Sequence, residues 1–249
     1  MHFGGKRFLI DPMLADQEAY PEVPETTSTG RGNPDCDLPC PVESLFDVDA
    51  VIVTHLHFDH FDEVAAKVLP KALTLFSQSE EEAQILRGMG FDDVRVLSGE
   101  GIAFDDVRLY RTKCDHGSSN LVTVDGYKDR GLTEKASGVV FESAAETERF
   151  YLAGDTIYCQ LVVDAVEKFK PGIVAVNAAG AQYPLGHLII MNQYDVRSLM
   201  RRFPTLKVIA THVEGVSHAT VNRPMLREFA KANQLDQLFV PNNGEVLEF

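Results

Sequence analysis

Apolar, β-branched runs alternate with helical patterns along most of the chain, and this alternation predicts its main strands and helices. Residues 48–54, VDAVIVT, form a nearly continuous apolar run, which is typical of a strand buried on both faces. A helix follows, with Asp62 as its N-cap and Pro70 closing it. Further strands are predicted at 7–10, 72–76, 94–97, 107–112, 137–143, 149–154, 172–177 and 206–212, with two short ones near the end of the chain. Further helices are predicted at 79–89, 159–169, 193–203 and 223–233.

The order of these elements indicates the fold class. Strands mostly alternate with helices, but the strands between 107 and 154 follow one another without a helix. This order predicts an α/β protein with mixed sheets covered by helices. Residues 20–41 are rich in proline and are predicted to be a loop. No linker divides the second half, and 249 residues suffice for one large core, so we expect a single domain over residues 1–249.

One strand pattern occurs twice. The sequence VIVTHLH at 51–57 is echoed by VIATHVE at 208–214, so each half of the chain has an apolar strand that ends in Thr-His. Short apolar runs often match by chance, and the echo alone leaves an internal duplication open. Two matching strands that each present a histidine at the carboxyl end are nevertheless what a site between two half-domains requires.

The segment after the first of these strands is unusually rich in metal-binding side chains. His55, His57 and Asp59 lie two residues apart in turn, and His60 follows at once. Side chains at i and i+2 of an extended segment point the same way, so His55 and His57 can reach one point. The turn that follows then directs Asp59 and His60 toward a neighbouring point. Neutral imidazole and carboxylate suit Zn²⁺, Mn²⁺ or Fe²⁺, and two adjacent clusters suggest two metals roughly 3.5–4 Å apart.

Other predicted strands end in residues that could complete such a site. His116 follows one strand, Asp155 is placed after another by Gly154, and His212 follows a third. Taken singly, each has an ordinary explanation, and Asp155 could be a turn residue or a helix cap. Together with the first four they make a set of oxygen and nitrogen ligands that all lie at strand exits.

These motifs resemble the metallo-β-lactamase superfamily. The resemblance rests on T-H-x-H-x-D-H, a later lone His, a G-D-T after a strand and a final T-H, and it covers essentially the whole chain. It implies an αββα sandwich of two similar halves. It also implies a first metal on His55, His57 and His116. The second metal would be held by Asp59, His60 and His212, with Asp155 bridging the two.

A narrower resemblance is carried by THLHFDHFDE, HVEGVSH and the closing PNNGEVLEF. These look most like the branch that includes the L-ascorbate-6-phosphate lactonase and many small bacterial metal-dependent hydrolases. Members of this branch usually have an additional strand before the segment GKRFLIDP. Almost nothing precedes it here, so we expect a shortened or differently covered sheet edge. Residues 117–135 match no motif that indicates a substrate.

The expected activity is hydrolysis of a small ester or lactone, with or without a phosphate group, by a hydroxide held on two zinc, manganese or iron ions. Asp59 could orient the nucleophile and move a proton. His218 could protonate the leaving group, although a surface histidine would explain it equally well. Glu214 could orient a ligand histidine through its second nitrogen.

Two other functions remain open. The same site could serve a phosphodiesterase that acts on small cyclic nucleotides or short RNA ends, and the protein could be a metal-binding module without catalysis. A missing ligand would favour the non-catalytic module, and all seven are present. We see no secretory signal, which argues against antibiotic hydrolysis, a mostly periplasmic task.

The charge and the apolar content of the chain limit the classes of partner that we expect. The formal net charge of −14 disfavours long nucleic acids and anionic membranes, so we expect a small-molecule substrate and leave a homo-oligomer open. No apolar run approaches the roughly 18–20 residues of a membrane helix, and the cytoplasm is the expected compartment. Cys36 and Cys40 lack the second cysteine pair of a zinc knuckle and are expected to be reduced thiols.

Overall fold

Two sheets form the centre of the molecule. The structure is a computed structural model that describes residues 1–23, 26–27, 30–117, 136–183 and 187–249. The first sheet has the order β1-β2-β3-β4-β5, and only β1 is antiparallel to its neighbour. Its strands are β1 (His2–Phe3), β2 (Lys6–Ile10), β3 (Ala50–Val53), β4 (Thr74–Ser77) and β5 (Asp93–Val96). The central strand β3 is the run VDAVIVT of the sequence, and its four residues are fully buried.

The second sheet is larger and mixed. It has the order β14-β13-β10-β9-β8-β7-β6, with β6 to β9 antiparallel and β9, β10, β13 and β14 parallel. Its strands are β6 (Ile102–Phe104), β7 (Val107–Lys113), β8 (Ser137–Ser143), β9 (Phe150–Leu152), β10 (Ile173–Asn177), β13 (Lys207–Thr211) and β14 (Leu238–Phe239). A separate hairpin consists of β11 (Gln182–Tyr183) and β12 (His187–Leu188).

Helices cover the outer face of each sheet. They are α1 (Glu63–Val68), α2 (Glu80–Gly88), α3 (Gln160–Phe169), α4 (Gln193–Arg202) and α5 (Arg223–Asn233), with a short 3-10 helix at Val42–Leu45. Side-chain caps explain several of the starts: Asp62 accepts from Ala65 N, and Ser79 accepts from Glu82 N. The sequence therefore predicts the start of α1 correctly, and the start of α2 to within a residue.

The core consists of three layers of apolar contacts. Between the sheets, Phe8 and Ile52 of the first sheet pack with Leu109 and Phe141 of the second. On the outer face of the first sheet, a second cluster joins β3 and β4 to α1 and α2. On the outer face of the second sheet, a third cluster joins β8, β9 and β10 to α3, α4 and α5. The order of layers is thus helix, sheet, sheet, helix, and the predicted fold class is confirmed.

Some details differ from the sequence expectation. The sequence predicts two short strands near the end of the chain, and residues 234–249 contain one of them, β14. The residues after β14 form turns and side-chain contacts and pair with no strand. The expected shortened edge of the first sheet is formed by the two-residue strand β1. The unassigned segment 117–135 lies outside the described residues except for Gly117. The single domain over 1–249 stays a prediction.

Within the ranges described, no helix is both long enough and apolar enough to span a bilayer.

Candidate metal centre

The first group of histidines lies just beyond the end of β3. His55 and His57 are buried, and Nε2 of His55 lies 2.9 Å from Nδ1 of His57. His116, which follows β7, brings its Nε2 to 3.4 Å from the same His57 nitrogen. The other nitrogen of His116 lies 3.1 Å from the carbonyl oxygen of Ile189, which fixes the ring orientation. The three rings expected to hold one metal therefore converge.

The second group faces the first across a single turn. The backbone N–H groups of His60 and Phe61 both donate to the carbonyl of His57, and this tight turn redirects the chain. Nε2 of His60 then lies 3.2 Å from Nε2 of His212, which follows β13. Oδ2 of Asp59 lies 3.4 Å from the same His212 nitrogen. The echoed strands β3 and β13 thus deliver their histidines to one place from the two sheets.

Asp155 lies between the two groups. Its Oδ2 is 3.2 Å from Nε2 of His60, 3.5 Å from Nε2 of His116 and 3.9 Å from Nε2 of His55. Gly154 places this carboxylate after β9 with a φ of +70°, and a Cβ at Gly154 would lie 2.4 Å from the carbonyl oxygen of Ser137. The position therefore requires glycine both for its backbone conformation and for space.

Ligand atoms within each of three sets lie within 4.8 Å of one another. The sets are His55, His57 and His116; His55, His60 and Asp155; and Asp59, His60 and His212. The structure therefore brings together all seven residues that the sequence singles out as ligands.

Burial keeps two histidines of the first group, His55 and His57, neutral. It lowers the pKa of His57 to about 4 and the pKa of His55 well below its ordinary value. In both rings, positive charge on neighbouring histidines lowers the pKa further. Neutral imidazoles with free lone pairs are the form that binds a metal.

Carboxylates dominate the second group. Burial lowers the pKa of His60, but Asp155, Asp11 and Asp59 outweigh it and raise the pKa well above its ordinary value. Burial likewise raises the pKa of Asp59, but His60 and His212 hold that pKa well below its usual range. Ionised carboxylates face protonated imidazoles here, so a divalent cation would take the place of protons.

This donor set fits divalent transition metals. Imidazole nitrogens of different rings face one another and a carboxylate oxygen at distances of 2.9–3.5 Å, deep in the protein. Such close nitrogens repel one another unless a proton or a cation lies between them. Imidazole and carboxylate are ligands of zinc, manganese and iron, and the cluster is able to bind metal.

The sequence does not reveal two supporting residues. Asp11, at the end of β2, brings Oδ2 to 2.9 Å from Nδ1 of His60 and also accepts hydrogen bonds from Thr54. Asn177, at the end of β10, donates from Nδ2 to Oδ1 of Asp155 at 2.5 Å. Asp11 directly follows a strand and Asn177 is the last residue of one, and this position is the only signal in the sequence that could have identified them.

The two catalytic residues expected outside the ligand set differ in their surroundings. His218 is buried, and its Nδ1 has no hydrogen-bond partner. Burial lowers the pKa of His218, while the nearby Asp59 acts in the opposite direction. Glu214, in contrast, accepts hydrogen bonds from the backbone and side chain of Arg223, at 3.2 and 2.5 Å. Arg223 donates to both carboxylate oxygens of Glu214, and the role of Glu214 in orienting a ligand histidine stays a prediction.

A two-sheet sandwich with buried His and Asp ligands at its strand ends defines the class of metal-dependent hydrolases with the metallo-β-lactamase fold. The family model for the beta-lactamase superfamily domain matches residues 6–213. The chain belongs to this family, as its histidine motif predicts.

Relatives agree with this assignment. The UPF0173 protein YddR of Bacillus subtilis is 37% identical over 250 residues, which cover 99% of this chain and 94% of that protein. A UPF0173 metal-dependent hydrolase of Rubrobacter xylanophilus is 26% identical over 84% of this chain and 74% of its own length. The chain is thus a metal-dependent hydrolase of the metallo-β-lactamase superfamily.

Solved structures extend the comparison. The isothiocyanate hydrolase from Delia radicum gut bacteria has a TM-score of 0.93 and 36% identity, covering 100% of this chain and 95% of that one. A possible metal-dependent hydrolase from Veillonella parvula has a TM-score of 0.88 and 33% identity, with coverages of 98% and 93%.

Proposed function

We propose that the chain is a binuclear hydrolase that acts on small uncharged molecules with an electrophilic carbon, with isothiocyanates as the first substrate class to test. The observation that carries the binuclear part is the position of Asp155. Its Oδ2 lies within 3.9 Å of His55 and His116 of the first group and of His60 of the second. A single carboxylate oxygen between two histidine groups suits a bridge between two cations.

The residues that would hold the two cations divide as the family resemblance implies. His55, His57 and His116 would hold the first; Asp59, His60 and His212 the second; and Asp155 both. Two bound divalent cations would lower the pKa of a water toward about 7 and polarise the electrophile. Zinc, manganese and iron all suit these donors.

The side chains of the site would orient the water and transfer the protons that hydrolysis requires. In the hydrolysis of an isothiocyanate, R–N=C=S and H₂O give R–NH₂ and O=C=S. The water oxygen bonds to the central carbon, the carbon–nitrogen bond breaks, and both water protons end on the nitrogen. Asp59, whose pKa lies well below its usual range, stays ionised and orients the water by accepting a hydrogen bond from it. His218 has an unpartnered buried nitrogen and relays a proton to the leaving nitrogen.

Two observations favour uncharged substrates. The relative of 36% identity over the full chain is named an isothiocyanate hydrolase. In addition, two described arginines that are linked to the His212 loop, one through Glu214 and one through Asp35, are already paired: Arg223 with Glu214, and Arg31 with Glu18 and Asp35. Neither offers a free guanidinium to a phosphate. This pairing favours a carbon electrophile, including the ester or lactone of the sequence expectation, over a phosphorylated lactone or a phosphodiester.

The test is a substrate panel on metal-reconstituted protein. Benzyl and allyl isothiocyanate are assayed for amine release beside neutral lactones and esters, bis-p-nitrophenyl phosphate and 2′,3′-cyclic nucleotides. Each is run with wild type and with Asp59→Ala. The control is Asp47→Ala, since Asp47 is an exposed carboxylate paired with Arg7 at the start of β2.

Each outcome decides between functions. Isothiocyanate turnover that is lost in Asp59→Ala and kept in Asp47→Ala supports the proposal. Turnover of phosphodiesters alone replaces it with the phosphodiesterase, and turnover of lactones alone restores the lactonase. No turnover at full metal occupancy leaves the non-catalytic metal-binding module.

A further inference from the structure

The loop that presents His212 is held in an unfavourable backbone conformation. His212 and Glu214 have φ angles of +59° and +62°, in the left-handed region that residues other than glycine rarely adopt. Such conformations persist only where the surroundings enforce them. One restraint is the pairing of Glu214 with Arg223 at the start of α5. The loop therefore depends on neighbours for the position of its ligand.

A second restraint comes from a distant part of the chain. Oδ1 of Asn33 accepts a hydrogen bond from Ser217 N at 2.8 Å, and Asp35 N donates to the carbonyl of Gly215 at 3.0 Å. Asn33 has no exposed surface. A buried asparagine 184 residues away in sequence thus holds the His212–His218 loop at Ser217.

The rest of Asn33 is tied to the other ligand-bearing turn. Asn33 and Tyr20 exchange backbone hydrogen bonds of 2.7 and 2.8 Å, and Nδ2 of Asn33 donates to the carbonyl of Pro21 at 2.9 Å. The hydroxyl of Tyr20 donates to Oδ2 of Asp62 at 3.2 Å, and its ring packs edge-on against Phe58 with centroids 5.5 Å apart. Phe58 lies directly beside Asp59 in the sequence. Asn33 therefore connects the Asp59–His60 turn of the first half to the His212 loop of the second.

We propose that Asn33 is a positioning residue for the second metal, acting through this connection. The Asp59–His60 turn follows a strand of the first sheet, and His212 follows a strand of the second. To bind one cation together, their donor atoms must lie close to one another, and they are 3.2–3.4 Å apart. Asn33 holds the two segments at that separation. This inference rests on the proposed function, because it concerns the second of the two cations assigned there.

The test is a cobalt titration of metal-free protein, followed by visible absorption and elemental analysis. Asn33→Ala is expected to bind the first Co²⁺ as wild type does. Its affinity for the second Co²⁺ should fall about 10–100-fold, as for other groups that orient ligands. Tyr20→Phe removes only the hydroxyl that joins Tyr20 to Asp62 and keeps the ring against Phe58, so it should also weaken binding of the second Co²⁺, by less than Asn33→Ala does. The matched control is Asn233→Ala: Asn233, at the end of α5, donates to Phe229 O and accepts from Arg197.

A second readout is independent of metal. In metal-free Asn33→Ala, the backbone amides of residues 213–218 should exchange hydrogen faster than in wild type, and those of Asn233→Ala should not. Unchanged binding of both cobalt ions by Asn33→Ala would overturn the inference. If wild type itself binds one ion, the binuclear proposal fails, and amide exchange alone decides the role of Asn33. If Asn33→Ala does not fold, Tyr20→Phe decides the question: weaker binding of the second Co²⁺ with the first unchanged supports the role, and wild-type binding of both ions overturns it.

Discussion

The Oδ2 atom of Asp11 lies 2.9 Å from Nδ1 of His60, while the other nitrogen of that ring lies 3.2 Å from Asp155. One imidazole is thus held on one side and directed at the metal centre on the other. This arrangement fixes both the tautomer and the orientation of a ligand histidine. Asp11 keeps its position through two hydrogen bonds of 2.8 Å from Thr54.

The first prediction concerns Asp11→Asn. Asparagine tolerates the φ of +46° at this position, but it removes the negative charge opposite His60. Metal affinity should fall about 10–100-fold with the fold retained, measured by competition with a chelator of known affinity. Asp49→Asn is the matched control, because Asp49 accepts the N–H of Arg7 at the other end of β2 and β3. Equal affinities for Asp11→Asn and wild type would remove Asp11 from the metal centre.

The second prediction concerns Gly154→Ala, compared with Gly5→Ala. The two glycines have nearly the same φ, +70° and +72°, but only the Cβ at Gly154 meets a neighbour. Left-handed backbone costs an alanine about 1–2 kcal/mol, so Gly5→Ala should lose that much stability and no metal. Gly154→Ala should lose more stability, and also metal, because the clash with Ser137 O displaces Asp155. Denaturant unfolding and elemental analysis measure both, and equal effects at the two positions would contradict this account of Gly154.

The third prediction is that His218 takes part in catalysis but does not bind metal. Replacing it by alanine should lower kcat by about 10²–10⁴-fold on a turned-over substrate and leave the metal content at the wild-type level. His2→Ala, which removes an exposed histidine of β1, serves as the control. A wild-type kcat in His218→Ala would show that the residue has only a packing role.

Much of the ligand set could be predicted from the sequence because the relevant information is local. The spacing of His55, His57, Asp59 and His60 follows from a strand and one turn, and each remaining ligand lies within a few residues of the end of a predicted strand. Strand ends on one side of a sheet meet in space, so residue type and position suffice. The fold class is predictable for the same reason, since hydrophobic periodicity marks the strands and helices.

Contacts between distant segments could not be predicted in this way. The partner of His60 is 49 residues away, and Asn33 and Ser217 are 184 residues apart. Glu214 is a carboxylate close in sequence to a ligand histidine, but its hydrogen bonds go to Arg223, nine residues later. No periodicity encodes these choices, because packing of the two halves determines them. Hairpin β11–β12 is similarly too short to leave a pattern.

The fourth prediction is that metal removal destabilises the fold. Without cations, the buried carboxylates and imidazoles of the centre rely on protons for compensation. Free metal at 100 times its Kd would stabilise the folded state by about 2.7 kcal/mol, or about 5–10 °C in Tm for a chain of this size. Thermal unfolding of chelated and reconstituted protein measures the difference. The same Tm in both would mean that the metal binds the folded protein no more tightly than it binds the unfolded chain, which would contradict this prediction.

The central claim is that two cations share Asp155, and elemental analysis of reconstituted wild type and Asp155→Asn tests it most directly. Asparagine retains the shape but brings a neutral amide between His60 and His116, so at least one cation loses an essential ligand. The account predicts about two ions per chain in wild type and no more than about one in Asp155→Asn, with circular dichroism unchanged. A single ion in wild type, or two in Asp155→Asn, would contradict it.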